Sequence, residues 1–152
     1  MIVQACINAN RDRGFHPALP VTLEAIVHDA RAVVAAGAAE VHMHVRDDVG
    51  RETLRPNFVD APIDAVHRAC SGTLIGMSTG EWIKRDDARR RDYLHALSVV
   101  PDHAAVNFAE GDCGAVVAAL RERGIGIEAG LATVADARRL SERGLGPACC
   151  ES

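Results

Sequence analysis

Two rhythms of hydrophobic positions alternate along the chain. Short runs rich in β-branched or small apolar residues fall at Ile2–Ile7, Ala39–Val45, Thr73–Met77, Ala104–Phe108 and Gly126–Ala129. Their length and flanking turn formers predict five strands. Between them the apolar residues follow a helical period. The clearest stretch is Thr22–Ala36, with Leu23, Ile26, Val27, Ala30, Val33 and Val34 on one stripe and Gly37 closing it. Asp60 is placed to cap a second helix, with Pro62 in its first turn, where a missing N–H costs little. Thr133 starts another, Asp136 stands three residues on as in a capping box, and Gly144 ends it.

Strand followed by helix, at about 30 residues per unit, is the pattern of βαβ units around a parallel sheet. No composition shift marks a second domain, so residues 1–145 read as one α/β unit. Gly146 and Pro147 then break both periods, and 146–152 read as an irregular tail. Two architectures fit: about five units of a partial TIM (β/α)8 barrel, or an open, doubly wound five-stranded parallel sheet. The C-terminal strand ends carry Asn8 and Asn10, His42 and His44, Ser78 and Thr79, Asn107, and Glu128. In a barrel all such ends converge on one face, whereas an open sheet needs polar groups only beside its switch point. Five equipped ends favour the partial barrel.

Composition narrows the function classes. The 152 residues are 48% hydrophobic and 25% charged, with 3% aromatics, so the core must be built from Ala, Val, Leu and Ile. A net charge of −4 leaves no electrostatic footprint for nucleic acid or an anionic membrane. Arg89, Arg90 and Arg91 lie among Asp86, Asp87 and Asp92 and read as a solvated helix face. Five cysteines, an odd number without a CxxC, point to reduced thiols and a cytoplasmic protein. The opening MIVQACI is interrupted by Gln4 and is too short for a signal sequence or membrane span.

The stretch AEVHMHVRDDVGRE carries the most distinctive chemistry. Residues two apart on a strand project together, so His42 and His44 share a face with Glu40, while Val41, Met43 and Val45 face the core. Two neutral imidazoles one strand-step apart suit a divalent metal. A catalytic zinc takes three protein ligands. Further candidates are Asp47 and Glu128, although the second and fifth strands are expected to lie well apart around a barrel. His16, His28, His67, His95 and His103 fall in predicted loops or helices. Arg46 and Asp47 could orient the imidazoles or pair with each other.

Taken together, HMHVRDDVGRE, the preceding AAGAAE and the following MSTGEW resemble the β-keto acid cleavage enzymes. Corresponding segments are ACINANRD, Pro20-Val21-Thr22, Ala36-Gly37-Ala38, Asp48 to Arg51, Ser78-Thr79-Gly80, PDHAAVNF and GIEAGLAT. The resemblance covers roughly residues 1–145. It implies a metal-dependent (β/α) barrel that reacts a β-keto acid with acetyl-CoA, giving acetoacetate and a new CoA ester. On that likeness His42 and His44 hold Zn2+. Asn10, Ser78, Thr79, Gly80 and Asn107 meet substrate, and Glu128 is the catalytic candidate. Homo-oligomers are also expected, with no nucleic-acid or membrane partner.

Three departures stand out. Many members have an acidic residue where this chain has Asn10, with Arg11 a possible substitute. A family threonine falls at Ala105. The family's C-terminal Arg and Gly-[LF]-Glu-Asp motif, which provide the third ligand and the base, are not found here, and the chain closes with Cys149-Cys150-Glu151-Ser152. These features leave two other readings open: a truncated, non-catalytic paralogue acting by association, or a flavodoxin-like ligand-binding domain. Against the latter, no GxGxxG or GxxxxGK[ST] phosphate cradle is present.

Overall fold

The structure, a computed structural model, describes residues 2–145. Five strands alternate with five helices: β1 (Gln4–Cys6), α1 (Leu23–Ala35), β2 (Glu40–Met43), α2 (Pro56–Ala69), β3 (Leu74–Ser78), α3 (Asp87–His95), β4 (His103–Asn107), α4 (Cys113–Glu122), β5 (Gly126–Gly130) and α5 (Val134–Glu142). All neighbouring strands pair in parallel, in the order β1-β2-β3-β4-β5. A doubly wound sheet reverses its order at a switch point; this one never does. The doubly wound alternative, and with it the flavodoxin-like reading, gives way to the partial barrel. The expected tail at 146–152, including Cys149 and Cys150, lies outside the described residues.

The core forms between one face of the sheet and the helices. Val41, Met43, Ile75, Met77, Ala104 and Val106 meet Ile26 and Ala30 of α1, Val59, Ile63 and Val66 of α2, Leu94 of α3, and Val116, Val117 and Leu120 of α4. The other face is polar. Its middle row runs Cys6, His42, Gly76, His103, Gly126 across the five paired strands. Glu40 and Gln4 lie one strand-step below His42 and Cys6. Sheet alternation therefore sorts the chain into a dry side under helices and a wet concave side.

Local chemistry explains the element ends. Thr22 caps α1 by accepting from the Ala25 N–H, and Gly37, at φ 103°, turns the chain after it. The capping box at Thr133 and Asp136 is present, with both reciprocal bonds. Its hydrogen bonds from the Thr133 hydroxyl and the Thr133 and Ala132 N–H groups hold the Asp136 carboxyl below its ordinary pKa.

The second helix starts earlier than expected. Pro56 occupies its first turn, where the ring is pre-set for helix, and Pro62 lies inside the helix, buried against the core. Asp60 does not cap. Its carboxylate instead accepts from the N–H groups of Ser98 and Val99, tying α2 to the segment before β4.

The arginine run is also reinterpreted. Arg90 is fully buried and donates to the Thr79 carbonyl and to the carboxylates of Asp87, Glu110 and Asp112. A solvated face would have left it in water; here acids from the β4–α4 connection follow it inside. Among the described residues no helix is long and apolar enough to cross a membrane. Cys6, Cys70 and Cys113 are free thiols.

Candidate functional site

His42 ends the second strand's inward face, and His44 follows one residue past β2. Their ring centroids are 5.3 Å apart and inclined by 63°. Both are buried, at 6% and 8% exposure. The chain then turns sharply: Asp47 accepts from the N–H groups of Val49 and Arg51, and Gly50 supplies the left-handed residue at φ 81°. The turn folds Glu52 back beside Arg46 as an antiparallel bridge. Glu52 Oε2 then lies 3.0 Å from His44 Nδ1 and also accepts from the Trp82 indole N–H at 3.0 Å.

This arrangement fixes His44. With Nδ1 engaged by a carboxylate, Nε2 is the nitrogen left to face a cation. Hydrogen bonds from His44 and Trp82 hold the Glu52 carboxyl below its ordinary range against the opposing effect of burial. Trp82 stacks on the His44 ring, 6.5 Å between centroids. Gly80 permits that placement, since a Cβ there would overlap the indole. Asn8 holds the backbone beneath. Its amide accepts from the His44 N–H and donates to the carbonyls of His44 and Pro20, adding a side-chain rung beyond the β1–β2 ladder.

Glu128 reaches one member of the pair, His42. Its Oε2 lies 3.4 Å from His42 Nδ1 and 3.6 Å from His103 Nδ1, and accepts from Gln4 Nε2. The expected separation of β2 and β5 fails because Gly76 on β3 has no side chain: the His103 ring lies over it, and a Cβ would overlap that ring. Long side chains thus meet across the concave face. His103, then His42, hold the Glu128 carboxyl far below its usual value, and Glu128 in return raises the His103 imidazole. A carboxylate held so low is a weak proton acceptor.

The other expected residues divide. Ser78 is buried, with its Oγ 3.4 Å from the Gly80 N–H. The Thr79 hydroxyl donates to the Ala105 carbonyl at 2.7 Å, extending the β3–β4 pairing. Asn107 donates to Glu110 and packs against Gly130, while Asn10 is exposed at the rim. Arg46 donates to the carbonyls of Ala9, Arg11 and Gly50, and Asp47 pairs with Arg51, so neither orients an imidazole. Sequence reasoning missed Glu52, Trp82 and His103. The period-two spacing of His103, Ala105 and Asn107 was the available signal for the last.

Among the described residues no group of three His, Cys, Asp or Glu side chains is spaced to hold a metal ion. His42 Nδ1 is buried without a hydrogen-bond partner, and His44 is pre-oriented. The two imidazoles therefore fit as part of a ligand set that they do not complete.

The family described as beta-keto acid cleavage enzyme matches residues 1–145. The chain is 32% identical over 114 residues to the 3-keto-5-aminohexanoate cleavage enzyme of Acetoanaerobium sticklandii, covering 75% of this chain and 39% of that protein. It is 30% identical over 91 residues to the 3-oxoadipate:acetyl-CoA acetyltransferase of Cupriavidus necator, covering 60% and 31%. Among solved structures, a ternary complex of ObcA with C4-CoA adduct and oxalate superposes with TM-score 0.70 at 23% identity, covering 85% of this chain and 35% of that one. A mandelate racemase/muconate lactonizing enzyme from Roseiflexus sp. gives 0.58 at 15% identity, covering 95% and 38%. These two show the fold, and the chain spans about two fifths of the length of the Acetoanaerobium relative. From the match over nearly all its length, the chain belongs to the β-keto acid cleavage enzyme family.

Proposed function

We propose that this chain carries the cation-binding and substrate-facing part of an enzyme that transfers an acyl unit between a β-keto acid and acetyl-CoA, releasing acetoacetate and a CoA ester. The observation that carries this reading is the pair of buried imidazoles with Glu52 orienting one of them. His42 and His44 would hold Zn2+, which when bound supplies Lewis-acid polarisation of a keto oxygen. The named relatives act on keto acids or acetyl-CoA, which supports these substrate classes. The site is one for small molecules, in a cytoplasmic protein.

The chain's own groups have distinct tasks. The Ser78 hydroxyl, which accepts from the Gly80 N–H, can donate its own proton to a carboxylate or carbonyl oxygen without adding charge. Asn107 and Asn10 line the approach, and Thr79 holds the β3 end in register. Glu128 lies beside His42, where its carboxylate would balance the charge of a cation held there; its depressed pKa suits this better than proton abstraction. Because the described residues offer no third strong ligand, the chain taken alone is expected to give no measurable cleavage.

A zinc titration tests the reading. The native chain should take up zinc, His42→Ala and His44→Ala should each abolish uptake, and Glu52→Gln should weaken it about 10–100-fold. Equal uptake by the double histidine variant would overturn the assignment. CoA ester formation from a panel of β-keto acids, lost in His42→Ala, would show that the chain is active unaided.

A further inference from the structure

A second polar cluster lies on the concave face beside His42. Two carboxylates come together there, Glu40 from β2 and Glu128 from β5. The Gln4 side-chain amide donates to both, to Glu40 Oε2 at 3.2 Å and to Glu128 Oε2 at 3.3 Å. The His103 ring spans the same two oxygens, with Nε2 3.8 Å from Glu40 and Nδ1 3.6 Å from Glu128. Gly76 makes room for that ring, since a Cβ there would overlap it.

Two carboxylates in one place repel each other unless a cation or donors stand between them. Gln4 is neutral and supplies donors alone. His103 can also supply charge. The nearness of Glu128, with smaller contributions from Glu40 and Asp102, raises the His103 imidazole against the opposing effect of burial, and His103 is the largest influence lowering the Glu128 carboxyl. Both ring nitrogens are buried and stand beyond hydrogen-bond range of either oxygen, so the hold is by charge rather than by a directed bond. The same Glu128 oxygen lies 3.4 Å from His42 Nδ1, itself buried without a hydrogen-bond partner.

We infer that His103 is a positioning residue for the cation site: seated over Gly76, its ring holds the Glu128 carboxylate on the β2 side of the concave face, where its negative charge acts at His42. What His42 binds rests on the zinc reading above; the clamp of His103 on Glu128 does not. Two effects of His103 on a bound cation oppose each other. As a positive group nearby it repels the cation, and its removal would tighten zinc. As the anchor of Glu128 it keeps a carboxylate beside a ligand ring, and its removal would loosen zinc. The second effect is the larger because that carboxylate stands at 3.4 Å from the ligand ring.

Zinc affinity of the full chain is measured for His103→Ala, Glu128→Gln and the double variant. His103→Ala should weaken zinc about 3–10-fold, at or below the range for losing a group that orients a metal ligand. Glu128→Gln should weaken it at least as much, and the double variant should bind no more weakly than Glu128→Gln alone. His103→Gln, which fills the space over Gly76 without the charge, should weaken zinc as His103→Ala does and covers the case in which the alanine variant folds poorly. In the metal-free chain the same pair should shift the urea midpoint non-additively. A role in packing alone would lower that midpoint and leave zinc affinity intact. Unchanged or tighter zinc binding in both His103 variants would overturn the inference, as would zinc losses that simply add in the double variant. Zinc uptake indifferent to His42 and His44 would instead remove the zinc reading, and the metal-free cycle would still decide the clamp.

Discussion

Gly76 shows how much one missing side chain arranges. It leaves room for the His103 ring, which in turn brings the Glu128 carboxylate within reach of His42. Gly76→Ala forces that ring to move, and should destabilise the chain by about 1–3 kcal/mol in urea unfolding. His103→Ala in the same chain should recover most of the loss, so the double-mutant cycle should show strong coupling. Such details were only partly legible beforehand. His42 and His44 could be paired from their spacing because strand alternation depends on the local chain alone. Glu52 could not, since it reaches His44 only through the turn at Asp47–Gly50 and the bridge to Arg46. A strand read as starting at Ala104 leaves His103 in a loop, whereas β4 begins at His103 itself.

At the level of elements, Arg90 joins α3 to the end of β3 and to the β4–α4 connection. Arg90→Ala should cost about 3–5 kcal/mol, because Glu110 and Asp112 would keep buried charge without a partner. Arg91→Ala, whose side chain is 33% exposed and 3.5 Å from Asp112, should cost under about 1 kcal/mol by the same measurement. The two arginines look alike in sequence. What separates them is acids about 20 residues downstream that only the folded chain brings close. Caps were easier to foresee: Thr22 and Thr133 act on N–H groups three residues away. Asp60 has the same chemistry, but its carboxylate was claimed by Ser98 and Val99 and the start of α2 by Pro56.

For the molecule as a whole, the sequential strand order makes an arc whose two ends, β1 and β5, have unpaired edges among the described residues. Ile2 and Val3 beside β1, and Leu131 and Val134 beyond β5, are exposed apolar residues at those ends. Open edges pair readily with other chains. The 152-residue chain taken alone should therefore self-associate or melt at low temperature. Light scattering that finds a monodisperse monomer, with cooperative melting at high temperature, would contradict this. The barrel-like order was foreseeable from five polar strand ends, because that property belongs to every unit. The meeting of His42 with Glu128 was not, because it depends on the open space over Gly76 between their strands.

One oxygen atom, Oε2 of Glu52, receives both the imidazole of His44 and the indole of Trp82. Whatever draws the indole away changes the electron-donating power of the imidazole, and whatever binds the imidazole alters the hold on the indole. Occupancy on one side of that atom must then tune affinity on the other, by the same factor in both directions.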